Sequence, residues 1–237
     1  VIMEIEQSVE DFAAGEGTRL RPLTLHTPKC LVLINGKPLL DFWLEMLVPC
    51  EDIEDIFINV SYLKEHVVEH IQSNWSSCNK ITLWHEEKLL GTAGTLKTNY
   101  DVLKKEDVLV IHADNLSTFD LPTFIKAHKG RPNICEITMM LFKTDSPESC
   151  GIVEIDKKGI VQVMHEKTAN PPGNLANGAV YIFSKEIINW IKANDAQDIS
   201  LEVIPQFLTQ IFSWENDLYH RDIGSPQSYS LAQQEFN

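Results

Sequence analysis

The chain is short of positive charge. Against 34 aspartates and glutamates stand only 20 lysines and arginines, a formal net charge of −14 over 237 residues. A surface of that balance repels polyanions, which argues against nucleic acid and anionic membranes as partners. No apolar run approaches the ~20 residues needed to cross a bilayer. The opening VIMEIEQSVED carries acids, unlike a secretory signal. There is no C-x-x-C pair. Cys30, Cys50, Cys78, Cys135 and Cys150 are odd in number and scattered, which suits reduced thiols in the cytoplasm better than a disulfide framework or a zinc cluster. The P-loop string G-x-x-x-x-G-K-[ST] is absent, and Leu20 stands where a dinucleotide fingerprint needs its third glycine. No repeat, Ser/Gly-rich linker or low-complexity tract divides the chain, so the expectation is one domain over 1–237, with a change of texture near residue 130.

What is present reads first as alternating elements. KPLLDFWLEML places Pro38 at a helix start and Leu39, Leu40, Trp43, Leu44 and Leu47 on one face. DIFINV (55–60) has the apolar, β-branched character of a buried strand. YLKEHVVEHIQ returns to helical spacing through Leu63, Val67 and Ile71. KITLWHE predicts a strand and the segment after Gly91 a helix. DVLVIHAD (107–114) is the clearest buried parallel strand. This alternation predicts an α/β fold, a three-layer Rossmann-like sheet, mainly parallel, with helices on both faces. Beyond residue 130, CEITMMLF and NGAVYIF read as strands, and GIVEIDKKGIVQVMHEK reads as two antiparallel strands joined at a Lys-Lys-Gly turn. Helices are expected near 185–193, over 201–212, and from SPQSY onward, with Ser225 as N-cap.

Basic charge, scarce overall, is concentrated in AAGEGTRLRPLTLHTPK (13–29). Gly15 and Gly17 let backbone N–H groups approach a phosphate closely; Arg19 and Arg21 supply charge-assisted bonds to its oxygens, and Lys29 adds a mobile ammonium. An isolated G-x-G is more often a surface turn. The cations gathered around this one, in an acidic chain, favour an anion site.

The stretch closely resembles the A-A-G-x-G-T-R-L-x-P-L-T…P-K signature of the sugar-1-phosphate nucleotidyltransferases. The resemblance continues in order through LGTAGTL (90–96), VIHAD (110–114), GIVEID, HEKTANPPGNLANGAVYIF and RDIGSPQSY, and it is strongest toward the mannose-1-phosphate guanylyltransferase-like branch, with its heptose- and muramate-phosphate relatives. It implies a GT-A type fold, with a nucleotide-binding half to about residue 130 and a sugar-phosphate half beyond it. The implied partners are a nucleoside triphosphate and a sugar 1-phosphate, GTP and mannose 1-phosphate first among them, with UTP or CTP as alternatives. The implied cofactor is Mg2+. By similarity, the 15–18 loop with Gly15, Gly17 and Thr18 cradles the triphosphate, and Arg19 holds its β- and γ-phosphates. Ala13, Gly15, Glu87, Gly91 and Thr92 meet the base, and Ala14 belongs to the same nucleotide-binding set. Lys29 touches the phosphates of both substrates, and Arg19, Lys29 and Asp114 carry the catalysis. Asp114 and Asp222 hold the metal. Gly151, Glu166, Lys167 and Asn177 join Lys29 at the sugar phosphate. A homo-oligomer is compatible with the sequence but is not read from it.

Some residues depart from the family pattern. QSVEDF, with Glu10 and Asp11, stands where the family has an apolar first strand, and burying two unpaired carboxylates costs several kcal/mol each. VIMEI is one substitute for that strand; an altered or incomplete chain is another explanation. H-A-D replaces G-D at Asp114, Cys30 follows the P-K pair, and Thr168 follows the E-K pair. Two other readings compete. HVVEH (66–70) matches the H-x-x-E-H pattern of zinc hydrolases, although Val67 and Ile71 already explain the helix and no third ligand is indicated. A non-catalytic sugar-nucleotide sensor on the same fold is the second, since fold alone does not establish activity.

Overall fold

A computed structural model describes residues 1–4, 18–61 and 63–236. The glycine-rich loop at 13–17, with Ala13, Ala14, Gly15 and Gly17, and the acidic pair Glu10 and Asp11 lie outside the described residues. The chain forms two compact units, neither continuous in sequence. Unit 1 comprises Val1–Gly91, Ile111–Thr118 and Tyr219–Asn237; unit 2 comprises Thr92–Val110 and Phe119–Leu218.

Unit 1 is built on parallel strands. Ile2–Glu4 pairs in parallel with Ile56–Val60, which pairs in parallel with Ile81–His85. Ile2 and Met3 are fully buried, so VIM supplies an apolar first strand, while QSVEDF lies outside the described residues. The helix Leu39–Leu47 buries all five predicted apolar residues, with Pro38 as its N-cap. The helix Lys64–Asn74 buries Val67 and Ile71. A tight hairpin joins Leu33–Ile34 to Lys37–Pro38 through Asn35 and Gly36, whose φ values of 48° and 85° suit the Asn-Gly pair.

Unit 1 also contains a two-stranded antiparallel ladder that sequence periodicity did not reveal. Asn115–Thr118 pairs with Tyr219–Asp222, placing Asp222 opposite Asn115. Beneath it, Ile34, Leu39, Leu116, Ile223 and Ala232 form a fully buried cluster, with Phe42, Tyr219, Tyr229 and Phe236 packed around it. Each buried aliphatic contributes ~1.5–3 kcal/mol relative to exposure. The buried indole of Trp43 donates to the carbonyl of Asn115 at 2.9 Å, tying the helix to the ladder beside Asp114. The C-terminal helix Pro226–Glu235 starts as expected: the Ser225 hydroxyl accepts the N–H of Ser228.

Unit 2 is mixed. Gly151–Ile155 and Val161–Glu166 form the predicted antiparallel hairpin, closed by Asp156, whose carboxylate accepts the N–H groups of Lys158 and Ile160. Gly159 has φ 76°, the left-handed conformation the turn requires. Leu175–Phe183 pairs antiparallel with Ile137–Lys143 and touches Gly151–Ile155 at Ala176 and Ile152. The helices Thr92–Thr98 and Lys185–Asn194 fall where expected.

The helix predicted over 201–212 is corrected. Helical turns occupy Ile199–Val203 and Ile204–Gln206, after which Ile211–Glu215 is a strand parallel to Ile137–Lys143. Pro205 offers no N–H to extend a helix, Thr209 adopts φ 72°, and Ile211, Phe212 and Trp214 favour a strand.

Candidate active site

In unit 1 the backbone presents three charges to one another. Pro28, in an extended conformation, leads into the short turn Lys29–Leu31, closed by the N–H of Leu31 on the carbonyl of Pro28 at 2.8 Å. Cys30 is buried and anchors that turn. From it, the Lys29 ammonium reaches Asp114 Oδ2 at 2.6 Å and Asp222 Oδ1 at 3.3 Å. Asp114 follows the strand Val108–His112, every residue of which is buried, and Asp222 ends the returning strand of the ladder. The two carboxylates therefore lie within two hydrogen-bond lengths of each other, although 108 positions separate them in sequence. The N–H of Gly224 donates to Asp222 Oδ1 at 2.8 Å. A Cβ on Gly224 would stand 3.0 Å from both oxygens of that carboxylate, so the approach is open to glycine and tight for any other residue.

Charge sets the protonation here. Burial acts to lower the Lys29 pKa, but Asp114 and Asp222 outweigh it and raise it. Burial acts to raise Asp222, but Lys29 first and then Arg19 hold it below the usual carboxylate value. Arg19, exposed on the turn Thr18–Leu20, thus acts on the same group as Lys29. Burial also pushes the Cys30 thiol up, with Asp114 adding to the effect.

In unit 2 the predicted sugar-phosphate residues are gathered by strand register. Glu166 lies opposite Gly151 across the hairpin, and the Ala176–Ile152 pair sets Asn177 beside Gly151 on the other side. A Cβ on Gly151 would meet Glu166 Oε2 at 2.8 Å, so glycine leaves the room that this carboxylate occupies. Lys167 has φ 43°, and its ammonium is 3.9 Å from Glu166 Oε1. Asn177 is oriented from both ends: its amide donates to the Tyr181 hydroxyl at 2.7 Å, and its Oδ1 accepts the N–H of Ala179 at 3.0 Å. The strand is irregular between Asn177 and Tyr181, with Ala179 at φ 52°.

Residues 12–237 match the sequence profile of the Nucleotidyl transferase family. The chain belongs to that family. Among curated relatives, it is 31% identical over 223 residues to the mannose-1-phosphate guanylyltransferase of Mycobacterium tuberculosis, covering 92% of this chain and 61% of that protein. It is 32% identical over 228 residues to the mannose-1-phosphate guanyltransferase of Saccharomyces cerevisiae, again covering 92% and 61%. The chain thus spans about 61% of the length of these relatives. Among solved structures, HddC from Yersinia pseudotuberculosis complexed with GMP-PN superposes with a TM-score of 0.76 at 22% identity, over 100% of this chain and 98% of that one. The fold is accordingly the Rossmann-like, GT-A type shared by these structures.

The other predicted positions of this family member fall as follows. Glu87 is exposed, whereas its neighbour Glu86 is buried and accepts the N–H of Leu90 at 3.3 Å. Gly91 has φ 78°, a conformation that favours glycine, and opens the helix Thr92–Thr98. The buried Thr92 hydroxyl accepts the N–H of Ile199 at 2.8 Å and so serves unit 2 internally. Sequence reasoning overlooked Tyr181 and Gly224, which orient Asn177 and Asp222. Gly224 had a visible signal in the RDIG block.

His70, half of the zinc alternative, is engaged elsewhere. Its Nε2 is 2.7 Å from Asp41 Oδ1, which also accepts the indole N–H of Trp75 at 2.8 Å. Among the described residues, no group of three or more His, Cys, Asp or Glu is placed to hold a metal. Asp114 and Asp222 nevertheless suit magnesium, which takes one or two carboxylates and completes its shell with substrate phosphate oxygens and water. No helix among the described residues is long and apolar enough to cross a membrane.

Proposed function

We propose that this chain transfers a nucleotidyl group from a nucleoside triphosphate to a sugar 1-phosphate, with GTP and mannose 1-phosphate as the pair. The supporting observation is the convergence of Lys29, Asp114 and Asp222 in unit 1. The names of the relatives support the choice of base and sugar. In the proposed reaction a phosphate oxygen of the sugar 1-phosphate bonds to the α-phosphorus while the bond to the bridging oxygen of the β-phosphate breaks and pyrophosphate leaves. The attacking oxygen is already anionic, so no protein nucleophile or strong base is needed. Positioning and neutralisation of charge are the protein's tasks.

Arg19 would bind the β- and γ-phosphates, and Lys29 would offer its ammonium to the phosphates of both substrates. Asp114 and Asp222 would hold Mg2+, which supplies charge neutralisation at the phosphate oxygens. In unit 2, Glu166 and Asn177 would read sugar hydroxyls and Lys167 the sugar phosphate. A cytoplasmic setting is part of this reading and accords with five cysteines that are not disulfide-bonded.

The test is direct. The purified protein is incubated with Mg2+, each of GTP, UTP and CTP, and a panel of sugar 1-phosphates, and pyrophosphate release is measured. The expected result is turnover with GTP and mannose 1-phosphate. Release with another pair would move the assignment within the family; binding without release across the panel would favour a sensor.

A further inference from the structure

The Lys29 ammonium stands between the two carboxylates that the proposed function gives to the metal. A divalent cation on the same two carboxylates competes with it, because two cations gathered on one pair of carboxylates repel each other. We propose that Lys29 is the resident counter-ion of the Asp114–Asp222 pair, that a divalent cation exchanges with it, and that the exchange frees the ammonium for substrate phosphate. This rests on the metal reading above and extends it to the order of events.

Three features carry the inference. The contact with Asp114, at 2.6 Å, is short and shielded, both side chains being less than one-fifth exposed. The contact with Asp222, at 3.3 Å, is the longer leg, and Asp222 is 60% exposed, so the pair is open to an incoming cation on that side. Finally, the Gly224 N–H holds Asp222 Oδ1 independently of the lysine, and the turn after Pro28 holds the Lys29 backbone. Departure of the ammonium therefore leaves the Asp222 carboxylate held, and the lysine side chain is the group that has to move. Without substrate the lysine competes with the metal; with triphosphate present it has another anion to go to. Metal and triphosphate then each strengthen the binding of the other, as linkage requires.

The experiment measures Mn2+ alone, with no nucleotide, by electron paramagnetic resonance and by the rise in melting temperature on Mn2+ addition. The proteins are the wild type, Lys29→Met, Lys29→Arg and Asp222→Asn. Lys29→Met keeps an apolar stem and removes the competitor, so Mn2+ should bind about tenfold more tightly, with a correspondingly larger thermal shift. The thermal readout serves even where that variant is less stable without metal. Lys29→Arg keeps a cation at the pair and should bind no more tightly than wild type. Equal or weaker binding by Lys29→Met, or equal tightening by Lys29→Arg, overturns the exchange. Asp222→Asn tests the underlying site: if it binds Mn2+ as well as wild type does, the metal reading itself fails, whatever the lysine variants show.

Discussion

The two units assemble their candidate site residues by different physics. In unit 1, Lys29 meets partners 85 and 193 positions away, and opposite charge holds the group together. In unit 2, Gly151 and Glu166 are neighbours across one hairpin, and Asn177 joins them through strand register, so hydrogen-bonded geometry does the placing. A charge-held group is sensitive to loss of any one charge, because each remaining partner is left partly desolvated and uncompensated. A register-held group tolerates loss of a side chain but not a change in the space between strands.

The sharpest test of this contrast is Asp114→Asn, expected to lower pyrophosphate release ~100-fold or more while the protein remains folded by circular dichroism. Retained activity would break the comparison at its stronger end. Acid titration offers a second test in unit 1. Burial holds the imidazole of His220, on the ladder strand, down to about 4, with Asp222 opposing. A folded value below the ordinary ~6.5 means the unfolded chain takes up the proton first. The stability this contributes is present above pH ~6.5 and is lost as pH falls toward 4, by up to roughly 3 kcal/mol. Denaturant unfolding of His220→Asn should show a shallower loss over that window than wild type.

In unit 2, Gly151→Ala places a methyl group against the Glu166 carboxylate, whose flexible end turns aside. The expected result is an unchanged fold and a ~10-fold rise in KM for the sugar phosphate, about 1.4 kcal/mol, with KM for the triphosphate unaffected. A rise in both would mean that the two groups of residues are not separable in this way. The smallest effect belongs to Tyr181→Phe, which deprives the Asn177 amide of its hydroxyl partner. It should cost about 1 kcal/mol of stability and a few-fold in sugar-phosphate KM, measured by chemical denaturation and initial rates.

The same contrast explains what was legible in the sequence. Local periodicity identified the helix Leu39–Leu47, the strand Val108–His112, the hairpin at Lys157 and Lys158, and the Ser225 cap, because each is written within a dozen residues. The apolar pattern at 201–212 was ambiguous between helix and strand, and pairing with Ile137–Lys143 decided its second half. Asn115–Thr118 and Tyr219–Asp222 are short and largely polar or charged, so nothing local marks them as strands. The proximity of Asp114 and Asp222 was reachable only through family resemblance, whereas the role of Gly224 in orienting Asp222 needed coordinates. VIMEI was one of several explanations for the atypical first strand, and pairing of Ile2–Glu4 with Ile56–Val60 accords with it.

The ladder between Asn115–Thr118 and Tyr219–Asp222 has a consequence for synthesis of the protein. Lys29 and Asp114 emerge from the ribosome long before Asp222, and the strand that completes their surroundings is made about 100 residues after Asp114. A nascent chain carrying everything up to residue 200 already holds the ammonium and one carboxylate but not the second. Closure of unit 1 is thereby deferred until residues 219–222 have been made, a contact of high sequence separation that folding reaches late.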